Sequence, residues 1–179
     1  MSEATGTSSP HAAPQATTAE QLTTLFALGR EVASVLDLDE LLQKIPQLIA
    51  RLTKFQAFAV YLLDPKRNEL SIAYSVGYPE DVARNLRLPV GRGMVGAAVA
   101  DGLPILVNDV HADPRYVEAV PGSCAELVAP LRRKGRVIGA LNLLSDTRDQ
   151  FTETDELILR QFGAHVAVAI ENARLFEKE

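Results

Sequence analysis

Few side chains in this sequence could act as nucleophiles or metal ligands. The 179 residues contain one cysteine, Cys124, and three histidines. A nucleophilic cysteine needs a nearby base and an electropositive setting. His111 is the histidine nearest to it in sequence, so a Cys–His pair is geometrically feasible, but a half-buried packing cysteine is the commoner case. One cysteine excludes an internal disulfide and any zinc or iron–sulfur site built on several thiolates. We expect no cofactor and no metal.

A glycine-rich string, GRGMVG at 91–96, has the spacing of a dinucleotide-binding loop. Such a loop needs a long buried parallel strand before it and a βαβ unit around it. Here the preceding strand signal is short, and the next strand begins after a brief helix and a turn. We therefore interpret Gly91, Gly93 and Gly96 as turn glycines that let a short helix approach a sheet closely.

The loop 108–116, NDVHADPRY, is dense in side chains that could contact a ligand. Loops placed over a covered sheet often carry function. Alternatively, Asp113 simply caps a turn that has Pro114 at its first central position. Both interpretations stay open at this point. The ligand-capable members of the loop are Asp109, His111, Asp113, Arg115 and Tyr116.

Composition and charge narrow the class of protein. Hydrophobic residues make up 47% and charged residues 23%, and the net charge of −5 argues against a broad nucleic-acid surface. The longest uncharged apolar runs, such as that at 57–63, are far shorter than the ~20 residues that span a bilayer. The first basic residue is Arg30, so a charged signal-peptide start is missing. We expect a bacterial-type cytoplasmic protein without membrane contact.

The order of elements predicts an α+β domain over 18–179 behind a disordered Ser/Thr/Ala/Pro tail at 1–17. Helical periodicity covers 18–36 and 39–53, and strand signals cover 56–64 and 68–77. The strand at 56–64 is apolar on both faces, which indicates a sheet covered on both sides. After the short helix come a strand at 104–109, a hairpin at 123–133 and 136–145, and a last helix from the Thr152 cap, with Asp155 placed as in a capping box.

Both terminal helices carry apolar residues at alternating spacings of three and four, as coiled-coil seams do. A monomer would hide only part of this surface, so we predict a parallel homodimer through a four-helix bundle. The predicted interface residues are Leu22, Leu25, Gly29, Val32, Leu159, Phe162, Val166, Ala169, Ala173 and Phe176.

Three segments together resemble a known family, the GAF domain. They are the runs that begin GRGMVGAAVADG, ELVAPLRRKG and FTETDELILR, at 91–116, 126–145 and 151–176. The resemblance implies a GAF-like (profilin-like) fold. In it a six-stranded antiparallel sheet carries the terminal helices on one face and a small-molecule pocket on the other. We expect Tyr74, Met94, Asp109, Tyr116 and Cys124 to line that pocket.

The same resemblance narrows the expected function. Cyclic-nucleotide-binding members carry an NKFDE pattern, and Leu143 stands at its lysine position. Methionine-sulfoxide-reductase members use several cysteines, and one cannot form their disulfide. We therefore expect a non-catalytic, ligand-sensing and dimerising regulatory domain of a bacterial signalling protein, with an unknown small-molecule ligand and a C-terminal effector. The alternatives are a structural dimerisation module with a vestigial pocket and, third, a thiol-based redox sensor or enzyme through Cys124.

Overall fold

Six strands form one antiparallel sheet in the computed structural model of the chain, in the order β3-β2-β1-β6-β5-β4. The structure describes residues 18–177, so the predicted tail at 1–17 lies outside the described residues. The expected α+β architecture with a six-stranded antiparallel sheet is confirmed. The helices are α1 (Thr18–Ala33), α2 (Leu38–Ile49), α3 (Glu80–Asn85), α4 (Gly93–Asp101) and α5 (Glu153–Glu177). The strands are β1 (Ala57–Asp64), β2 (Glu69–Val76), β3 (Arg87–Pro89), β4 (Ile105–Val107), β5 (Ala125–Arg133) and β6 (Arg136–Ser145).

The sheet separates two apolar cores. Phe58 and Val60 of β1 pack under α1, α2 and α5, whereas Ala59 and Tyr61 of the same strand pack under α4 and the loops around it. This is the two-sided burial that an apolar run without polar alternation predicts. The terminal helices therefore cover one face, and the other face is left for α3, α4 and the segments that connect them.

The last helix begins as its capping residues predict. Thr152 Oγ1 accepts a hydrogen bond from the Asp155 N–H at 3.2 Å, and Asp155 Oδ2 accepts one from the Thr152 N–H at 2.9 Å. Asp155 also accepts a hydrogen bond from the Thr53 hydroxyl at 2.8 Å. The reciprocal cap thus fixes the start of α5 and ties it to the segment between α2 and β1.

A β-bulge in β2 changes which face its later residues occupy. The pairing shifts between Val60, opposite Tyr74, and Tyr61, opposite Ile72, so Ala73 is the extra residue. Leu70 and Ile72 consequently face the α4 side, but Tyr74 packs on the α1–α5 side. The sequence-based placement of Tyr74 in the pocket is therefore wrong, because the bulge reverses the alternation just before it.

The terminal-helix seams are used within the chain. α1 contacts α2 and α5, and α5 lies on β5 and β6. Only Leu22 and Phe176 of the ten predicted interface residues are exposed, by 50% and 58%. The remaining eight are buried against the sheet or the neighbouring helix and cannot contact a second copy. They are Leu25, Gly29, Val32, Leu159, Phe162, Val166, Ala169 and Ala173.

Gly139 marks the tightest backbone approach in the sheet. A Cβ at this position would collide with the carbonyl oxygen of Tyr61 and lie 3.2 Å from Leu62 Cα, and neither backbone atom can move without disturbing β1. We expect Gly139→Ala to lower the free energy of unfolding by about 3 kcal/mol in urea titrations. Gly163→Ala is the matched control. Its Cβ would meet the flexible ends of Leu131 at 3.4 Å and Leu141 at 3.8 Å, and helix propensity favours alanine by about 1 kcal/mol. Equal effects of the two substitutions would contradict this packing.

Candidate functional site

A small cavity lies on the α4 side of the sheet, between the strands and the segment 86–119. Its volume is about 20 Å³, so it has room for about one water molecule. This face of the sheet is therefore largely filled by side chains. The lining residues are Tyr61, Leu86, Leu88, Gly93, Met94, Val95, Tyr116, Val117, Ala119, Glu126, Asn142 and Leu144.

The floor of the cavity is a buried polar cluster on three neighbouring strands. Tyr61 of β1, Asn142 of β6 and Glu126 of β5 project from the same face, because Asn142 pairs with Ala59 and Val128. Asn142 Nδ2 donates a hydrogen bond at 3.0 Å to the hydroxyl of Tyr78, which follows β2. Asn142 also interacts with Glu126 and Tyr61, so its amide joins the members of the cluster.

Burial controls the charge of this cluster. Removal from water raises the pKa of Glu126 to about 8, against a smaller lowering by the Asn142 amide. Burial likewise raises the pKa values of Tyr61 and Tyr78 above their ordinary range. At neutral pH the Glu126 side chain is mostly a neutral carboxylic acid, so it can donate a hydrogen bond or a proton into the cavity.

The amide oxygen of Asn142 is buried at the cavity without a hydrogen-bond partner among the described residues. The hydroxyl of Tyr116, in contrast, has the side chain of Ser123 as a partner. Buried polar atoms are normally paired, so the Asn142 oxygen is a group that a ligand can bind. The cavity lining contains no lysine, arginine or histidine. It therefore suits a ligand group that is neutral or cationic at the floor, and disfavours a carboxylate or phosphate there.

One wall of the cavity is formed by the start of α4. Gly93 has a φ of +71°, which L-residues rarely adopt, and Arg92 provides no side-chain cap to the helix. Gly93, Met94 and Val95 line the cavity at this point. The glycines of this string are therefore turn glycines. A Cβ at Gly96 would lie 2.8 Å from the Pro89 carbonyl oxygen, so the helix could not approach as closely with a larger residue. The sheet is antiparallel, and the described residues contain no βαβ unit.

The structure brings two of the five predicted pocket residues together. Met94 and Tyr116 line the cavity, and their contact with a ligand stays a prediction. Tyr74 lies on the opposite face of the sheet for the reason given above. Asp109 and Cys124 lie outside the lining.

Several polar side chains of the loop 108–116 form hydrogen bonds or ion pairs within the protein. Asn108 donates to the Phe151 carbonyl at 2.8 Å and accepts from the Phe151 N–H at 3.1 Å. Asp109 forms an ion pair with Arg148 at 3.2 Å, and Asp113 holds Arg115 through two side-chain bonds at 2.7 and 3.0 Å. Of the two interpretations left open, the turn-forming one accounts for Asp113, while Tyr116 reaches the cavity.

Cys124 lies immediately before β5, at the edge of the site. Its N–H donates to the Ser145 carbonyl at 2.7 Å and its carbonyl accepts from the Val110 N–H at 2.9 Å, so the position extends the ladder. The thiol is half-buried and lies 3.7 Å from the Gly122 carbonyl oxygen.

His111, the base considered for this thiol, packs edge-on against the Tyr116 ring, at 5.6 Å between ring centroids. The Cys–His pair considered from sequence is not formed.

Sequence reasoning missed Tyr61, Tyr78 and Glu126 as members of the site. One signal was available: Glu126 is an acid inside AELVAPL, an otherwise apolar strand. A charged side chain on a strand that is buried on both faces must be paired and hydrogen-bonded, or it must become neutral through a shifted pKa. The part played by Tyr78 could not be inferred, because only the fold brings it to Asn142.

Two negative findings limit the chemistry of the described residues. Within 18–177, no group of three or more His, Cys, Asp and Glu side chains is placed to hold a metal ion. None of the helices in that range is both long and apolar enough to cross a membrane.

Comparison with known proteins identifies the family. The sequence model of the GAF domain matches residues 35–171, most of the chain. The chain belongs to the GAF domain family. The resemblance seen in the sequence is thereby confirmed.

Individual relatives with this fold include enzymes. Protein YtsP of Bacillus subtilis (strain 168) is 35% identical over 85 residues, which are 48% of this chain and 52% of the relative. The free methionine-R-sulfoxide reductase of Escherichia coli (strain K12) is 38% identical over 81 residues, 45% of this chain and 49% of that enzyme. The matched region thus spans about half the length of these curated relatives. The free methionine-R-sulfoxide reductase of Neisseria meningitidis, solved in complex with its substrate, superposes with a TM-score of 0.79 at 29% identity, over 92% of this chain and 96% of that one.

These relatives overturn the expected function. A non-catalytic sensing, regulatory and signalling domain was expected, and the similar proteins named as reductases are enzymes. The error lay in the cysteine argument, because a single cysteine excludes an internal disulfide but leaves reduction by an external thiol open. The C-terminal effector expected from the sequence stays a prediction.

Proposed function

We propose that this GAF domain reduces a small sulfoxide of the free methionine-R-sulfoxide class, with Cys124 as the reacting thiol and Glu126 as the proton donor. The observation that carries the proposal is a buried acid with a raised pKa two residues from the single thiol of the chain. Cys124 and Glu126 are two positions apart on an extended strand, so they share one face and lie about 7 Å apart. The similarity to reductases in sequence and fold supports the same activity.

The reaction balances with one cysteine and two molecules of an external thiol. The Cys124 sulfur attacks the sulfoxide sulfur while Glu126 gives its proton to the sulfoxide oxygen. The S–O bond breaks, the oxygen passes to Cys124 as a sulfenic acid, the substrate leaves as the thioether, and the thiol proton returns to Glu126. A first external thiol condenses with the sulfenic acid, giving water and a mixed disulfide. A second releases the Cys124 thiol and an external disulfide.

Glu126 is suited to this step because it is uncharged before the reaction. A sulfoxide oxygen accepts hydrogen bonds, and the neutral carboxylic acid can donate one where an ionised carboxylate would repel it. The unpaired oxygen of Asn142 can accept a hydrogen bond from a substrate N–H, such as an α-ammonium group. The absence of basic side chains from the lining supports a substrate whose carboxylate stays away from this floor.

The activity is tested by offering both sulfoxide epimers of free methionine to the protein with dithiothreitol as external thiol. We expect methionine to form from the R epimer, followed by chromatography, at a rate well above the protein-free blank. The S epimer and a peptide-bound methionine sulfoxide serve as controls for a compact site. No methionine above the blank from either free epimer would refute the proposal. A thiol enzyme needs a reducing compartment, so the proposal includes a cytoplasmic location.

We also propose a homodimer, now through the outer face of α1. Leu22 and Phe26 lie one turn apart on that face and are exposed by 50% and 63%. Residues 1–17 contain no leucine, isoleucine, valine or aromatic residue that could cover such a face. We expect Phe26→Glu to convert a dimer into a monomer in sedimentation experiments. Leu103→Glu, at an equally exposed leucine after α4, should leave the dimer intact. A monomeric parent protein would contradict this interface.

A further inference from the structure

The cavity is too small for the substrate it is proposed to bind. Its volume of about 20 Å³ holds roughly one water, whereas a free amino-acid sulfoxide has nine or more heavy atoms and needs several times that space. The floor consists of strand residues that are locked into the sheet ladder. On the α4 side, the N–H groups of Gly91 and Arg92 bond to the carbonyls of Gly96 and Pro89, which holds the start of the helix in place. The remaining wall is a roof of Tyr116, Val117 and Ala119, which belong to the segment 113–123, so space has to come from this roof.

This segment, called the strap from here on, is held to the domain only by side-chain packing. Its polar contacts are internal: the Tyr116 N–H bonds to the Asp113 carbonyl, the Ser123 N–H and hydroxyl both bond to the Val120 carbonyl, and Arg115 pairs with Asp113. Among the described residues, no hydrogen bond or ion pair joins 114–123 to the sheet or to any helix. Ser123, at the end next to the base, is buried, whereas none of residues 113–122 is.

The base of the strap, in contrast, is firmly fixed. The Val110 N–H donates to the Cys124 carbonyl at 2.9 Å, and the Cys124 N–H donates to the Ser145 carbonyl at 2.7 Å. Val110 is fully buried. Gly122, with a φ of +84°, and Pro121 stand just inside one end, and Pro114 stands inside the other. Segments with few buried contacts and no cross-linking hydrogen bonds open at low free-energy cost, whereas their anchored ends stay in place.

We propose that the strap 113–123 swings about its base at Val110 and Cys124 to open the cavity, and that substrate enters and product leaves only through this opening. The motion lifts Tyr116 and Val117 from the floor cluster and uncovers Glu126 on the side where Cys124 is fixed. The thiol therefore stays in position while the roof moves. The inference rests on the proposed function for the identity of the ligand, but the opening itself is a property of the fold.

The opening can be measured without any ligand. Met94 is 2% exposed beneath the strap, and Val166 is fully buried on the opposite side of the sheet. In a Cys124→Ser background, Met94→Cys and Val166→Cys each introduce one thiol for reaction with a chromogenic aromatic disulfide. We expect the thiol at position 94 to react about two orders of magnitude faster than that at 166, with little dependence on dilute urea. If the two thiols react at equal rates that rise together with urea, exposure of position 94 requires global unfolding. That result would contradict the proposed opening of the strap.

A reversible lock tests whether the opening admits the ligand. An ideal Cβ on Gly93 lies 3.7 Å from Val117 Cβ, within the separation of about 3.5–4.5 Å that disulfides require. In the Cys124→Ser background, the Gly93→Cys/Val117→Cys pair should oxidise to a bond between the strap and the start of α4. We expect the oxidised form to bind methionine-R-sulfoxide at least about tenfold more weakly in calorimetry than the same protein reduced by dithiothreitol.

The outcomes of the two experiments separate this inference from the proposed function. Equal binding by the locked and reduced forms would show that the strap is not the entrance and overturn the inference. If the thiol at 94 reacts fast but neither the reduced double variant nor its Cys124→Ser parent binds the sulfoxide, the opening is supported and the proposed substrate is wrong. The Gly93→Cys and Val117→Cys single variants, treated with the same oxidant, control for the strain of a side chain at the positive φ of Gly93 and for the loss of the valine side chain.

Discussion

Replacing Cys124 with serine is expected to abolish sulfoxide reduction and leave the fold intact. A serine hydroxyl cannot accept the sulfoxide oxygen, so no chemical step remains. The thiol is half-buried and makes one weak contact, to the Gly122 carbonyl at 3.7 Å, so the free energy of unfolding should change by no more than about 1 kcal/mol. Steady-state methionine formation and urea unfolding of the same preparation measure the two quantities.

A relocated thiol provides the control for this substitution. Ala125→Cys combined with Cys124→Ser keeps one cysteine but moves it to the neighbouring position, whose side chain is buried on the α1–α5 side of the sheet. We expect this variant to be as inactive as Cys124→Ser alone. Retention of a substantial part of the parental rate by Cys124→Ser would remove Cys124 from the chemistry and overturn the proposed mechanism.

Glu126→Gln should lower kcat by about a hundredfold or more with little change in KM, because a glutamine has no proton to give to the departing oxygen. The pH profile provides a second readout. With a pKa of about 8, Glu126 loses its proton as the pH rises through that value, so parental activity should fall above it. The residual activity of the variant should lack this fall. Glu153→Gln, at an exposed position at the start of α5, is the matched control and should keep the parental profile.

The same carboxyl makes stability depend on pH, and the sign follows from the raised pKa. In the interval between the ordinary pKa of 4.5 and about 8, the folded protein holds a proton that the unfolded chain has lost. The contribution of Glu126 to stability is therefore full below about 4.5 and is lost progressively as the pH rises through about 8. Each pKa unit corresponds to about 1.4 kcal/mol, so the effect amounts to a few kcal/mol. Glu126→Gln should flatten the dependence in urea titrations between pH 5 and pH 9. Parallel dependences in the two proteins would contradict the buried, neutral acid.

Several features of the fold follow directly from local sequence. The strand at 57–64 is apolar at every position up to Leu63, which already implies cover on both faces of the sheet. The Thr152–Asp155 pair marks the start of α5, and Lys134 and Gly135, both with positive φ, make the tight turn between β5 and β6. These predictions succeed because each depends on a few neighbouring residues and a short-range rule.

The wrong predictions arise where one sequence pattern is compatible with two different packing surfaces. Apolar residues at spacings of three and four describe a helix stripe, but the same stripe can face a sheet or a second copy. Leu159 and Phe162 proved to face the sheet and are fully buried. Tyr74 was misplaced because a bulge at Ala73 is not visible in the sequence. Burial raises the pKa of Glu126, and Asn142 forms a hydrogen bond with its carboxyl group. Both the burial and this contact arise only after the sheet has formed.

The most direct test of the account is a single turnover without external thiol. The fully reduced protein is mixed with an excess of methionine-R-sulfoxide, quenched, and analysed for methionine and for the mass of the peptide that contains Cys124. The account predicts one methionine per chain and one added oxygen on Cys124, trapped by a cyclic dione that reacts with sulfenic acids, and neither product in Cys124→Ser. Methionine formed without oxidation of Cys124, or no methionine at all, would contradict it.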